Sequence, residues 1–209
     1  SGILNGTTNY ILTRMREENL NFDRVLLEAQ SKGYTSVNEA ELDINGLDSA
    51  HKLTLLATLC FGSEINFSNN NITGISDVHI YDIINADKLG YKIKLISEAS
   101  IIDNKIYCLT GPKLISKNNP LANVDGVLNA IIVDGDPIGR SVLQGSGAGP
   151  GPTSSALLSD LCSILRGNIK YPFGVSCFLR KKIKNFDILN HICSSYIRIE
   201  VKDMPGVLS

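Results

Sequence analysis

DVHIYDIINADKLGYKIKLIS, residues 77–97, changes its hydrophobic period partway along. Its first part reads as a helix opened by Asp77 and closed near Leu89 and Gly90. Beyond Gly90 the run from Tyr91 to Ser97 partly alternates, as a strand with one buried face does. Upstream of this switch the patterned segments are helical. Ile3, Leu4, Tyr10, Ile11 and Met15 recur at roughly helical spacing, and RMREEN (14–19) closes that segment with polar residues. A second helix is expected with Asp23 as cap, Val25, Leu26, Leu27 and Ala29 on its apolar side, and Gly33 just past its end. Tyr34 to Gly46 is acidic and irregular, without periodicity. Asp48 caps or opens a third helix, whose apolar positions run from Leu53 to Phe61 and stop at Gly62, and SNNNIT (68–73) reads as a loop.

Downstream the pattern is β. Lys105–Thr110 is a short strand-like run, and Ala130–Val133 and Ile138–Leu143 flank a turn at 134–137, a good hairpin signal. GSGAGPGPTSSALLSDL (145–161) is a glycine-rich loop running into a helix from about Thr153 to Leu165. The basic run RKKIKNFD (180–187) resembles a linker. Tyr196–Val201 alternates like an edge strand, and a turn follows at 203–206. Helices followed by strands, with no βαβ alternation, predict an α+β fold.

At 209 residues and 43% hydrophobic composition the chain can bury a core without staples. Twenty basic residues against 21 acidic ones give a net charge of −1, which argues against nucleic-acid or membrane-surface partners. The longest apolar stretch, Leu53–Phe61, is too short to span a bilayer. Five cysteines and three histidines are dispersed with no CxxC pair, so a reduced, cytoplasmic protein without a structural metal is expected. No basic segment followed by an apolar block marks a signal peptide at the start. The opening at Ser1, directly into a patterned segment, raises the expectation of a piece of a longer protein.

Two segments carry chemistry. Gly145, Gly147, Gly149 and Gly151 let a ligand approach the backbone closely, and the loop empties into a helix N-terminus suited to an anion or a polarised carbonyl. The spacing fits neither GxGxxG nor GxxxxGK[ST], and a plain strand-to-helix turn is the competing reading. Thr153, after Pro152, is placed to cap or to bond in the first turn. The second segment is NEAELDINGLDSAHK (38–52), where Asp48 and Lys52 are four apart and share a helix face. On spacing alone they read first as a surface ion pair worth about 0.3–0.5 kcal/mol. The alternative is a lysine tuned by Asp43 and Asp48 to move a proton. His51 reads as a helix-surface histidine and Lys94 as an outward-facing strand residue. NGTTN (5–9) is either a carboxylate-facing helix start or an ordinary cap.

Taken in order, GILNGTTNYILTRM (2–15), EAQSKGY (28–34), DINGLDSAHKLTLLA (43–57), DIINADKLGYKIKLI (82–96), PLANVDGVLNAIIVDGD (120–136) and GSGAGPGPTSSALLSDL (145–161) resemble the homoserine dehydrogenase family. IRIEVKDMPGVLS (197–209) resembles the opening of an ACT domain. The resemblance implies helices packed on a mixed β-sheet, a homodimer, and NAD(P)H-dependent reduction of L-aspartate 4-semialdehyde to L-homoserine in threonine and methionine biosynthesis. It implies Lys52 as the catalytic proton donor, with Asp48, Asp43, Tyr34, Gly6 and Thr7 at the substrate. Gly147, Ala148, Gly149 and Thr153 would stand at the NADP or NAD cofactor. Ser36 occupies the substrate-binding position where the family has a glutamate, and losing that charge costs about 1.5–3 kcal/mol.

The resemblance further implies a substrate-binding and dimerisation domain over 1–180, a linker over 181–195 and the start of an ACT domain over 196–209. Threonine would be an effector, and a monovalent cation and a separate nucleotide-binding domain would belong to the full-length enzyme, without which these residues alone would be inactive. The competing readings are a non-catalytic dimerising relative that binds an amino acid, and a dehydrogenase of another amino-acid semialdehyde.

Overall fold

Asparagines and glycines punctuate the helical half of the chain. In the computed structural model, which describes residues 1–209 apart from 37–38, 66–70, 169–170, 172, 175 and 202–209, Asn5 caps helix α1 (Gly6–Glu18) by accepting the Thr8 amide at 2.8 Å. The cap requires extended backbone, so Ile3 and Leu4 are pulled out of the expected helix and Ile3 joins a strand. Helix α2 (Phe22–Ser31) starts after Asn21, two residues before the expected cap Asp23, and Gly33 turns the chain at φ 71° beyond its end. The acidic stretch contains a short helix, α3 (Ala40–Ile44), that its sequence did not announce. Gly46, at φ 79°, then opens α4 (Leu47–Phe61), placing Asp48 in the first turn and Lys52 one turn later. Helix α5 (Ile80–Lys88) is capped by His79, with Asp82 reaching back to the His79 amide, so Asp77 lies outside it.

Five strands form one sheet in the order β3-β2-β1-β4-β5. Strands β2 (Tyr91–Ile102) and β3 (Lys105–Ser116) pair over their full length through a two-residue turn. Asp103 and Asn104 there both have positive φ, the left-handed geometry that matches strand twist. Strands β4 (Leu128–Gly135) and β5 (Gly139–Ser146) make the second hairpin. Between the hairpins lies β1 (Gly2–Ile3), paired to Ser97 on one side and to Ala130 and Ile131 on the other. A side chain at position 2 would meet the Ala130 carbonyl at 2.7 Å, so only glycine fits. Among the described residues every pairing within this sheet is antiparallel, where a mixed sheet was expected. Hairpins give that geometry directly, and parallel contact is confined to isolated bridges such as Ser63–Lys181 and Ile106–Asn185.

Helices α1, α2, α3 and α5 bury Ile11, Met15, Val25, Ala29, Ile75, Ile83 and Leu95 in one apolar cluster. Ile3, Ile96, Leu121, Val124 and Ala130 form a second around β1. Leu4, Leu53, Ala57, Ile65, Ile106 and Cys108 join α4 to the sheet in a third. Helix α6 (Pro150–Leu165) begins after Gly149, and none of its residues is buried. The basic run after residue 180 lies along the body, with Lys184 and Phe186 bonded to Ile106 on β3. Tyr196–Val201 is not a strand. Alternation makes a strand only beside a partner backbone, and here Tyr196 and Arg198 instead donate to the Asp82 carboxylate at 3.0 and 2.8 Å.

Lys94 corrects the sequence reading most sharply: its side chain is 0% exposed. Strand β2 has α1 on one face, so the lysine is carried inward. Its ammonium donates to Asn9 Oδ1 (2.9 Å), the Val124 carbonyl (2.7 Å) and Asp125 Oδ1 (2.8 Å). Burial pushes Lys94 down to about 8 against the opposing pull of Asp125. Burial alone would raise Asp125, but bonds from Arg16 and Lys94 hold it well below the carboxylate range.

Removing Asp125 strands a buried ammonium, so Asp125→Ala is expected to cost about 3 kcal/mol in urea unfolding, whereas Lys94→Met costs far less or stabilises. Between pH 8 and 10.5 the unfolded chain keeps a Lys94 proton that the folded chain releases, so stability gains a rising component with pH across that window. Urea melts at stepped pH should show Lys94→Met abolishing that component; an unchanged pH profile would contradict it.

Candidate active site

The chain leaves the centre of the sheet at Ile3 and enters α1 at Gly6, so Leu4 and Asn5 alone span the junction. Their polar groups face the starts of α3 and α4 rather than solvent. The Asn5 amide nitrogen donates to Asp43 Oδ1 at 2.7 Å and to Asp48 Oδ2 at 2.9 Å. Thr35 donates to the other oxygen of Asp43 at 3.0 Å. Lys52, one turn along α4 from Asp48, donates to Asp48 Oδ2 at 2.7 Å and to the Leu4 carbonyl at 3.2 Å. Two of its three N–H groups are thereby used. The lysine is about half exposed, so its amine is held but reachable.

Strand β4 adds Asn129, whose amide nitrogen donates to the same Leu4 carbonyl at 3.3 Å. A carbonyl can only accept, so this bond fixes which end of the amide is nitrogen. The Asn129 Oδ1 is buried and has no hydrogen-bond partner among the described residues. Across from it the glycine loop comes down between β5 and α6. A side chain on Gly147 would lie 2.2 Å from Asn129 Nδ2, whereas one on Gly145 would meet nothing within 4 Å. Gly149 holds φ 105°, a conformation that glycine alone adopts freely, at the point where α6 begins.

Tyr34 closes another side. Its carbonyl accepts from Thr7 Oγ1 at 3.0 Å, and its ring meets Tyr10 edge-on with centroids 4.8 Å apart. Behind it Glu28 takes bonds from Lys32 and Tyr10, which bring its carboxyl down to about 2.

These groups surround one cleft of about 480 Å³. Gly6, Thr7, Tyr34, Asp43, Asp48, Lys52, Gly147, Ala148 and Gly149, separately nominated by the sequence, all line it. Ser36 and Thr153 do not. Ser36 Oγ instead donates to the Glu39 carboxylate (2.9 Å) and accepts the Glu39 amide (3.2 Å), just ahead of α3. Thr153 is an exposed first-turn residue of α6 whose amide bonds the Gly149 carbonyl. Sequence reasoning missed Asn129, Thr35 and Lys32 as lining or supporting groups, and took Asn5 only as a cap. An asparagine before Gly-Thr-Thr signals a helix start; nothing local announces what its amide nitrogen touches. Among the described residues there is no group of three or more histidines, cysteines or acids that could hold a metal, and no helix long and apolar enough to cross a membrane.

Gly145→Ala should leave stability within about 0.5 kcal/mol. Gly147→Ala must push Asn129 off the Leu4 carbonyl and should cost about 1–3 kcal/mol, the range for a buried polar group left unpaired. Paired thermal melts read the difference, and equal melts would contradict the packing described.

Comparison with known proteins places the chain among relatives. The homoserine dehydrogenase family model matches residues 1–162. The homoserine dehydrogenase of Pseudomonas aeruginosa is 39% identical over all of this chain and 49% of its own length, and that of Methanocaldococcus jannaschii is 41% identical over 81% of this chain and 48% of its own. The chain thus spans about half the length of the curated relatives it matches. The crystal structure of a homoserine dehydrogenase from Thiobacillus denitrificans superposes with a TM-score of 0.75 at 42% identity, covering 80% of this chain and 38% of that one. A hyperthermophilic archaeal homoserine dehydrogenase in complex with NADPH superposes at 0.64 with 26% identity, covering 79% and 46%.

Proposed function

Because the chain belongs to the homoserine dehydrogenase family, an NAD(P)-using group of oxidoreductases acting on small molecules, we propose that it forms the substrate-handling part of an enzyme that reduces L-aspartate 4-semialdehyde to L-homoserine. The observation that carries the reading is the single cleft in which Lys52, Asp48 and Asp43 face the glycine loop.

The chemistry asks for a hydride at the aldehyde carbon and a proton at its oxygen. Lys52 supplies the proton: two of its N–H groups are anchored on Asp48 and Leu4, which leaves the third for the substrate oxygen. Asp48 balances the ammonium before transfer and draws the next proton in after it. The carboxylates of Asp43 and Asp48 attract the substrate's α-ammonium. Its carboxylate meets the first amides of α1 at Gly6 and Thr7, where the helix dipole is positive, beside Tyr34.

NADPH or NADH supplies the hydride when bound. Gly147, Ala148 and Gly149 would hold its nicotinamide end, and Thr153 would support that loop from the first turn of α6. Two features fit such a group: a loop kept bare of side chains where it approaches Asn129, and the unpartnered acceptor of Asn129 itself.

On the same reading residues 1–180 are the substrate-binding and dimerisation domain, 181–195 a linker and 196–209 the opening of an ACT domain. The working enzyme is a cytoplasmic homodimer in threonine and methionine biosynthesis, with threonine as effector and a monovalent cation in the full-length protein. One observation favours a second reading, an amino-acid-binding relative without turnover: Ser36 bonds Glu39 ahead of α3 and does not line the cleft.

The complete polypeptide containing these residues, given L-aspartate 4-semialdehyde and NADPH or NADH, is expected to consume the reduced nicotinamide absorbance. Lys52→Ala should lower kcat by roughly 10²–10⁴, the range for a positioned proton donor. A folded protein with no turnover, not rescued by Ser36→Glu, would sink the catalytic reading in favour of the binding one.

A further inference from the structure

Asn5 does more than cap a helix. Any of serine, threonine, aspartate or asparagine can accept the Thr8 amide from the cap position. Only asparagine accepts toward the helix while donating twice in another direction. Asn5 is 5% exposed, and its amide orientation is fixed from both ends. The Oδ1 is committed to the Thr8 N–H, and the Nδ2 hydrogens are committed to Asp43 and Asp48. Reversing the amide would set its oxygen against two carboxylates.

Asp43 comes from α3 and Asp48 from α4, and each has a second anchor, Thr35 and Lys52 respectively. Asn5 is the group that touches both carboxylates. Two carboxylates within reach of one nitrogen repel each other, and charge-assisted bonds from an amide offset that repulsion without adding a charge. The Asp48 oxygen that takes the Asn5 bond, Oδ2, is also the one that takes the Lys52 bond. Asn5 therefore fixes, through Asp48, one of the two anchors that orient Lys52, the Leu4 carbonyl being the other.

We infer that Asn5 is a positioning residue for the reaction, its side-chain amide holding Asp43 and Asp48 side by side so that Lys52 keeps one fixed carboxylate partner. This rests on the catalytic reading of the cleft, and the test separates the two. Asn5→Ser and Asn5→Asp both retain a side-chain oxygen for Thr8, so α1 stays capped and a melt verifies the fold.

In the complete polypeptide, kcat/KM is expected to fall roughly 10–100-fold in each variant, as the loss of charge-assisted bonds implies. Asn5→Asp should be the worse of the two. A residue that merely caps α1 predicts kcat/KM unchanged in both variants, since each keeps the oxygen that accepts the Thr8 amide. Independently of turnover, mass spectrometry of a brief acetic anhydride pulse should find Lys52 labelled several-fold faster in Asn5→Ser than in the unsubstituted protein, with other lysines unchanged. An unchanged kcat/KM in both variants or an unchanged Lys52 labelling rate would overturn the inference. An altered labelling rate in a protein that never turns over the semialdehyde would instead retain the positioning frame and overturn the catalytic reading alone.

Discussion

A strand of two residues at the centre of a sheet leaves the chain very little room. Having paired on both sides at Gly2 and Ile3, it must enter α1 within two residues, and those two cannot bury their polar groups in ladders. The Leu4 carbonyl and the Asn5 amide are left to find partners across the end of the sheet. They find Lys52, Asn129, Asp43 and Asp48, drawn from α3, α4 and β4. The cleft is in this sense a solution to the hydrogen-bond accounting of a strand-to-helix junction. Its wall is completed by the glycine loop, which approaches so closely that a side chain at position 147 would have to displace Asn129.

Helix α1 extends the same logic into the body of the protein. Asn5, Asn9, Thr13 and Arg16 lie three or four residues apart and so share one face. Asn9 donates to the Val124 and Leu128 carbonyls, Thr13 accepts the Gly126 amide, and Arg16 pairs with Asp125. This polar stripe ties the segment 124–129, which leads into β4 and Asn129, to the helix that starts at the cleft. Lys94 closes the stripe from beneath by bonding Asn9, Val124 and Asp125 together. A buried cation thus fixes the loop that delivers one wall of the site, and the site inherits rigidity from a charge it never exposes.

The elements were legible in the sequence where period and punctuation agreed. The switch at Gly90, the hairpin around 134–137 and the helix from Leu47 to Gly62 carry both signals, and resemblance to a family joined Lys52 to its carboxylates. What failed to read has a common physical cause. The buried side of α1 is polar along one stripe, so a search for apolar periodicity passed over Asn9 and Thr13. Lys94 looked solvent-facing because a lone lysine in a strand normally is; its partners lie 30 and 85 residues away in sequence. Asn129 and Asn5 matter through tertiary bonds to Leu4, Asp43 and Asp48, which no local pattern encodes. Tyr196–Val201 failed in the opposite sense, since its alternation is real and no strand among the described residues lies alongside it.

The order of strands also bears on how the chain reaches this structure. Each hairpin closes over a turn of a few residues, so β2 with β3 and β4 with β5 can form with little loss of chain entropy. Strand β1, the earliest of these strands in the sequence, has its partners at Ser97 and at Ala130 and Ile131. It can be clamped only once the chain as far as Ile131 exists and both hairpins have met around it. The step that completes the sheet is therefore the step that brings Leu4 and Asn5 into place, and the cleft comes into being late, all at once, with the closing of the sheet's middle.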